Sequence, residues 1–308
     1  MAAPTNTFLS TAAIGNREDL SDVIYRITPT DVPFMSAIGK GKATNTLHEW
    51  QTQDLAAFGA NAQAEGDDAS AVVVTPTVRL SNRTQISTKT VIVSGTQEAT
   101  LSAGRKSEMG YQMALKALEL KRDMEFALTQ NNVTATNPRQ LRGLVGWADA
   151  ANVNAGVGYV APNYITNVAQ TDGTLRTFTE AQLKDVAQKV FTSGGNPDML
   201  MMGPSQKQTF STFTGNATRM DKSEDEKLHA SIDVYVSDFG TLKAVPNRFQ
   251  RARDVWMLQT DMWSVDYLRP FFSQELAKTG DSLKKQLIVE YTLRSNNPKA
   301  NGLIADVL

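Results

Sequence analysis

Histidines, cysteines and clustered carboxylates are the side chains that most often carry chemistry, and this chain has few of them. It contains two histidines, His48 and His229, and no cysteine. The segment HEW at 48–50 would fit a zinc protease only with a second histidine four residues after the first, but position 52 is threonine. No Ser/His/Asp arrangement can be proposed either. We therefore interpret His48 as a structural or interface residue.

The carboxylates cluster at one place, the segment EGDDAS, which contains Glu65, Asp67 and Asp68. Their spacing is not that of a calcium-binding loop, so a metal site is the weaker interpretation. An acidic patch facing solvent or a partner is the stronger one. The segments GKGK and GDSLKK lack the Walker A spacing, and no G-x-G-x-x-G follows a strand. These observations predict a protein that is not an enzyme and needs no cofactor or metal.

The overall charge also restricts the function. The formal net charge is −1, from 31 basic and 32 acidic residues among 308. This balance argues against a protein that coats nucleic acid, because such binding depends on neutralising phosphates. The absence of cysteine excludes disulfides and suits a reducing cytosol. No apolar run reaches membrane-spanning length, and we expect no signal peptide from the first residues.

A loop of small and acidic residues, 56–74, separates two predicted strands at 44–55 and 76–93. The second strand alternates, with Val78, Leu80, Ile86 and Ile92 on one face and Arg79, Arg83 and Lys89 on the other. It would span roughly 60 Å, longer than one compact core covers. Because an isolated hairpin is only marginally stable, we predict that this hairpin lies on a partner. A solvated basic face is the alternative for the three cations.

The remaining chain predicts helices and strands in alternation. The region 1–43 is irregular, with a short helix from Asp19 to Ile27 and turns at GKGK. A long helix begins after Ser107 as N-cap; two apolar stripes on it indicate contacts on two sides, and Lys121 and Glu125 are placed to pair. Region 139–260 is α/β, with a capping box at Thr179 and Gln182 and Ser205 as a further cap. The last strand turns Leu287, Val289, Tyr291 and Leu293 inward.

Several blocks of the sequence, in order, resemble one family. They are PTDVPFMSAIGKGKATNTLHEWQTQDL, AGRKSEMGYQMALKALELKRDMEFAL, GGNPDMLMMGPSQK, DVYVSDFGTLKAVPNRF and YLRPFFSQELAKTGDSLKKQLIVEYTL. The resemblance is to major capsid proteins of tailed bacteriophages with the Hong Kong 97-type fold, an α+β class. It implies an N-terminal arm (1–43), an extended loop formed by a long β-hairpin (44–94), a peripheral domain with a spine helix (95–140), an axial domain (141–261) and return strands of the peripheral domain (262–308).

The resemblance also implies a structural function. Copies of the chain would form pentamers and hexamers that close into an icosahedral head around double-stranded DNA, assembled in the cytoplasm of a bacterial host. The expected partners are a separate scaffolding protein, a portal protein, a decoration protein where the phage has one, and packaged DNA in weak non-specific contact; a membrane is not among them. The alternatives are an encapsulin-like compartment of the same fold and an unrelated soluble enzyme.

The expected contacts between subunits lie at the hairpin. Phe58 would be the apolar anchor of the loop, and small residues would allow close approach to a neighbouring copy. We expect Glu65, Asp67 and Asp68 to meet basic residues of that copy, among them Arg105, Lys106 and Arg122 near the spine helix. Arg79, Arg83 and Lys89 are further candidates for this contact. No lysine lies between Lys42 and Lys89, so a covalent cross-link from the loop tip is not expected.

Overall fold

The computed structural model describes residues 28–56, 58–66, 68, 71, 73–100, 104–213 and 234–308. The predicted helix Asp19–Ile27, His229 and Asp67 lie outside these residues. The helices are α1 (Pro33–Ala37), α2 (Gly95–Ala99), α3 (Glu108–Thr129), α4 (Glu180–Thr192) and α5 (Pro204–Phe210). The strands are β1 (Gly39–Lys42), β2 (Leu47–Thr52), β3 (Val78–Arg83), β4 (Gln85–Ser94), β5 (Ala135–Thr136), β6 (Arg139–Gln140), β7 (Val153–Asn154), β8 (Met199–Met202), β9 (Val234–Ser237), β10 (Gly240–Pro246), β11 (Val255–Leu258), β12 (Trp263–Glu275), β13 (Ser282–Ser295) and β14 (Gly302–Ile304).

A four-stranded sheet, in the order β1-β12-β13-β4, forms one half of the architecture. Its centre is the long antiparallel pair β12 and β13, and α3 packs across one face. Alternation in β13 sends Leu287, Val289, Tyr291 and Leu293 into the core between sheet and helix. The predicted inward face of this strand is therefore confirmed.

The prediction of one uninterrupted strand over 76–93 is wrong. The chain divides at Thr84: β3 pairs with β2, whereas β4 pairs with β13 of the same chain. Thr84 is fully buried, and its N–H donates to the carbonyl of Thr46 and its hydroxyl to Glu290. Because β3 and β4 belong to different sheets, they bury opposite faces, and β4 buries Val91 and Val93. Ile86 and Ile92, predicted to face inward, are exposed.

The long helix α3 begins where the sequence predicts. The hydroxyl of Ser107 accepts the N–H of Gly110, which satisfies one of the free donors of the first turn. One predicted stripe, with Leu120, Met124 and Leu128, is buried in the main core. The other is only partly covered by the described residues. The predicted pair of Lys121 with Glu125 is wrong, because Glu125 is completely buried among other partners.

A six-stranded sheet, in the order β7-β14-β11-β8-β10-β9, forms the other half, with α4 and α5 beside it. The capping box is confirmed, since the side chain of Gln182 accepts the N–H of Thr179 before α4. The prediction for Ser205 is wrong, because α5 begins at Pro204 with Gly203 as its N-cap. Proline fits that first position since its missing N–H would have no helical partner there.

The segment GKGK forms a strand, not turns. It is β1, which runs parallel to β12 at the edge of the four-stranded sheet. Gly41 lies opposite Asp266, and a β-carbon at this position would come within 2.2 Å of a carboxylate oxygen of Asp266. Any larger residue would therefore have to displace this carboxylate. No helix among the described residues is long and apolar enough to cross a membrane.

Candidate functional site

The part of the molecule that stands out is the connection between β2 and β3, residues 53–77, which we call the protruding loop. All its described residues are exposed. Leu55, Phe58, Val73 and Val74 have exposed fractions of 97%, 103%, 91% and 83%. Four large apolar side chains on one segment, none of them covered by their own described chain, are typical of a surface that binds another protein.

The base of this loop is held firmly by long-range contacts. The indole N–H of Trp50 in β2 donates to the carbonyl of Ser295 at 2.8 Å. The amide of Asn82 in β3 donates to the carbonyl of Leu293 at 2.7 Å, and Asn82 is completely buried. Nε2 of His48 lies 2.8 Å from Oδ2 of buried Asp266. The two strands therefore project the loop from a firm support, and His48 makes a structural contact, which is one of the two roles predicted for it.

Beyond the strands, side chains continue to join the two arms of the loop. Nε2 of Gln53 donates to the carbonyl of Thr75 at 3.0 Å, and the hydroxyl of Thr77 donates to Gln51 at 3.2 Å. Lys299 forms an ion pair with Asp54. These contacts are confined to the stem, so the stem is tied to the body of the subunit while the apolar side chains further out face solvent.

The charged residues predicted for the interface lie in two settings. Glu65 and Asp68 are exposed at the loop tip, and Arg79 is exposed with Glu49 3.6 Å away on the paired strand. Lys89 is different. It points towards α3, where its Nζ lies 2.6 Å from Asp123, because β4 faces the opposite way from the predicted strand.

The basic residues near α3 are also distributed unevenly. Nε of Arg105 lies 2.5 Å from Glu108, and its guanidinium covers the ring of Tyr111 at 5.3 Å. Lys106 is exposed. Arg122 lies 5.5 Å above the ring of Phe249, further along α3. Arg105 and Lys106 are thus together at the start of α3, whereas Arg122 lies four turns away. Arg83 is half-buried beside the loop base.

Comparison with known proteins decides the family. The sequence matches the SU10 major capsid protein family over residues 3–308. The chain belongs to this family. The major capsid protein of Escherichia phage Phieco32 is 28% identical over 352 residues, covering 99% of this chain and 97% of that protein. The capsid asymmetric unit of cyanophage A-1(L) has a TM-score of 0.65 at 13% identity, over 97% of this chain and 98% of that one. The fold is the Hong Kong 97-type capsid fold.

The encapsulin alternative shares this fold. The SrpI encapsulin of Synechococcus elongatus PCC 7942 has a TM-score of 0.58 at 10% identity, over 95% of this chain and 92% of that one. A likeness at this identity shows the fold alone. The family match over nearly the whole chain identifies a phage major capsid protein.

One polar site in this major capsid protein was missed by sequence reasoning. Glu125 of α3 accepts the backbone N–H groups of Phe34 at 2.8 Å and Met35 at 2.9 Å, and the side-chain amide of Asn247 at 2.7 Å. Burial raises its pKa, although these three hydrogen bonds act in the opposite direction. Glu125 thereby joins α1, α3 and the segment after β10. The only sequence signal was a glutamate beside the buried stripe of α3.

A second missed site is a charged cluster at the end of the six-stranded sheet. Asp172 accepts hydrogen bonds from both Arg251 and Arg253. Arg253 also binds Asp306, which is completely buried. Asp254 is buried as well, with Nη1 of Arg251 3.1 Å from its Oδ2. Burial raises the pKa of Asp254 to about 7, against the opposing effect of Arg251.

This raised pKa gives a pH-dependent stability. Because the folded-state pKa of Asp254 exceeds its ordinary value, its contribution is fully present below about pH 4 and is lost as pH rises through 7. The free energy of unfolding should fall by roughly 2–3 kcal/mol from this group between pH 5 and 8. Asp254→Asn should reduce the pH dependence by that amount, measured by urea denaturation at both values. An unchanged slope in the variant would contradict this assignment.

The described residues contain no group of three or more histidine or acidic side chains arranged to hold a metal ion. The cluster at Glu65 and Asp68 belongs to the loop tip, where both side chains are exposed. What the described site offers chemically is apolar area and charge on a firmly anchored extension, which suits binding to another protein molecule.

Proposed function

We propose that this chain builds the phage head by self-assembly into pentamers and hexamers, which close into an icosahedral shell around double-stranded DNA. The observation that carries the proposal is the protruding loop: its apolar side chains are exposed, yet its base is fixed by Trp50, Asn82 and His48. A rigidly presented apolar segment gains stability only in an interface. In a protein of the capsid family, the partner is another copy.

The proposed domains have the boundaries that the sequence predicts. Residues 1–43 form the N-terminal arm, 44–94 the extended loop, 95–140 and 262–308 the peripheral domain, and 141–261 the axial domain. The α3 helix with the four-stranded sheet supports the peripheral assignment. The six-stranded sheet supports the axial one, except that its strand β14 lies within 262–308. Because β4 pairs with β13, the part of the extended loop free to reach a neighbour is 53–77.

The proposed partners follow from the same role. A separate scaffolding protein would guide curvature during assembly in the bacterial cytoplasm, a portal protein would occupy one vertex, and a decoration protein would bind the finished head where one exists. The net charge of −1 supports only weak contact with packaged DNA, because each neutralised phosphate adds affinity.

Electron microscopy tests the proposed function. The full chain is expressed alone and together with the scaffolding protein from the same genome, and purified particles are imaged. Closed shells of uniform diameter that contain this chain are the expected result. A stable monomer under both conditions would refute the proposal, and shells filled with a co-purifying enzyme would favour the encapsulin alternative.

The acidic tip gives a prediction about salt. We propose that Glu65, Asp67 and Asp68 meet Arg105 and Lys106 of a neighbouring copy. Replacing Asp67 and Asp68 with Asn should lower the melting temperature of assembled shells in 20 mM salt and leave it nearly unchanged in 500 mM salt, because ions screen exposed charges. Each pair contributes less than about 1 kcal/mol, but it repeats at every copy.

The matched control is Asp123→Asn. Asp123 is an exposed carboxylate whose partner, Lys89, lies in its own chain, so the change should affect the melting of unassembled subunits and of shells equally at each salt concentration. Equal melting of the Asp67/Asp68 variant and the parent protein at low salt would contradict the proposed charge pairing.

A further inference from the structure

Strand β4 has an open edge. One side of it pairs with β13 from Gln85 to Ser94, and no other described strand pairs with the opposite side. At the beginning of β4, the side chain of Gln85 accepts the backbone N–H of Leu141. From Thr88 onwards the edge presents unpaired backbone donors and acceptors, and such an edge is a template for a further strand.

The side chains of β4 are suited to strand addition. Thr88, Thr90 and Ile92 are exposed and β-branched, and its one charged residue, Lys89, turns inwards to Asp123. Natural edge strands are usually protected by outward charges, prolines or bulges. The exposed part of β4 has none of these devices.

The protruding loop contains a segment that fits this edge. Residues 72–75 read Val-Val-Val-Thr, four successive β-branched residues. Val73 and Val74 are almost completely exposed, and the described residues of this segment pair with no strand of their own subunit. Both the strand-forming segment and the open edge therefore lack a partner within the described chain.

The positions of charged residues indicate the direction in which residues 72–75 would pair with β4. Arg105 and Lys106 lie at the end of β4 where α2 begins, because Glu98 of α2 accepts hydrogen bonds from the hydroxyl of Ser107 and the N–H of Met109. The acidic tip of the loop precedes residues 72–75. If the tip meets these two cations, residues 72–75 run from the end of β4 towards its beginning, antiparallel to it.

We propose that residues 72–75 of a second copy of this chain add to the open edge of β4 as an antiparallel fifth strand. Placing Asp68 level with Ser94, beside the two cations, puts Val74 opposite Thr88. The inference rests on the proposed function, since it specifies how the protruding loop binds a neighbour. Backbone hydrogen bonds supply the attraction, and the β-branched side chains on the outer face pack against each other.

Disulfide trapping tests the position. The chain has no cysteine, so Val74→Cys combined with Thr88→Cys introduces one reactive pair, and opposed residues in antiparallel strands are at disulfide distance. Oxidised shells should give a ladder of covalent oligomers on a non-reducing gel. The matched control combines Val74→Cys with Lys121→Cys, an exposed position on α3, and should stay monomeric. A ladder in the control but not in the Thr88 variant would overturn the proposal.

Proline substitution tests the backbone bonds. Changing both Val73 and Val74 to proline removes two N–H donors. Successive N–H groups of a strand point to opposite sides, so one of these two donors would point to β4. The matched variant, with alanine at both positions, loses the same side-chain contacts but keeps the donors. Shells of the proline variant should melt below shells of the alanine variant, while the unassembled subunits should melt alike. Equal melting of the two shells would refute strand addition, whereas failure of the parent protein to form shells would refute the proposed function itself.

Discussion

Replacing residues 53–77 with Asn-Gly should give a folded subunit that no longer forms shells. Thr52 lies directly opposite Val78 in the β2–β3 pair, so a two-residue turn can close the hairpin without changing its register. The removed residues contribute no buried side chain among those described. The free energy of unfolding should change by less than about 1 kcal/mol, since shortening a loop also reduces the entropy cost of closing it.

The loss of assembly has a simple physical reason. The shortened chain keeps β2 and β3, which hold the base of the loop. It loses the apolar side chains and the β-prone segment that would enter an interface. Size-exclusion chromatography and electron microscopy should show only unassembled subunits. As a control, alanine at Asn61 and Gln63, two exposed polar residues of the same loop, should leave shell formation unchanged. Normal shells from the shortened chain would show that the loop is not required for assembly.

Glu125→Ala should destabilise the subunit by about 3 kcal/mol. The substitution leaves the N–H groups of Phe34 and Met35 and the amide of Asn247 without their acceptor in the protein interior. Each buried donor without a partner costs about 1–3 kcal/mol, and the recovered cost of burying a carboxylate offsets part of the sum. Urea denaturation of the unassembled subunit measures the effect.

Two further variants distinguish the effect of removing Glu125 from the effect of removing an exposed charge. Asp123→Ala, two residues earlier on α3, removes an exposed ion pair with Lys89 and should cost less than about 1 kcal/mol. Glu125→Gln keeps the size of the side chain but replaces one acceptor oxygen with a donor group facing N–H donors, so it should be destabilising as well. If Glu125→Ala were as mild as Asp123→Ala, the three hydrogen bonds would not contribute to the fold.

Structural features that depend on short stretches of sequence were predictable. Ser107 marks the start of α3, and Gln182 caps α4 through the N–H of Thr179. The alternation of Leu287, Val289 and Tyr291 gave the buried face of β13. These signals depend on residues within one or two turns or on the two-residue period of a strand. The blocks of capsid-like sequence predicted the family, which the match over residues 3–308 confirmed.

The site was predictable only in part. The composition of 56–74 indicated a loop that needs a partner, and Phe58 is indeed fully exposed there. Lys89 was assigned to the same outward face as Arg79, but the break at Thr84 turns it towards Asp123. At that break Thr84 donates a hydrogen bond to Glu290, 206 residues away. A local pattern carries no information about such a partner.

The amino-acid sequence by itself determined where α3 begins, which face of β13 is buried, the loop of small and acidic residues, and membership of a capsid family. Only the tertiary structure decided that β4 joins the sheet of its own chain, that its far edge stays open, and that Glu125 holds α1 from 91 residues away. The reason is that local propensity sets the elements, whereas pairing across the chain depends on which distant donors and acceptors burial brings together.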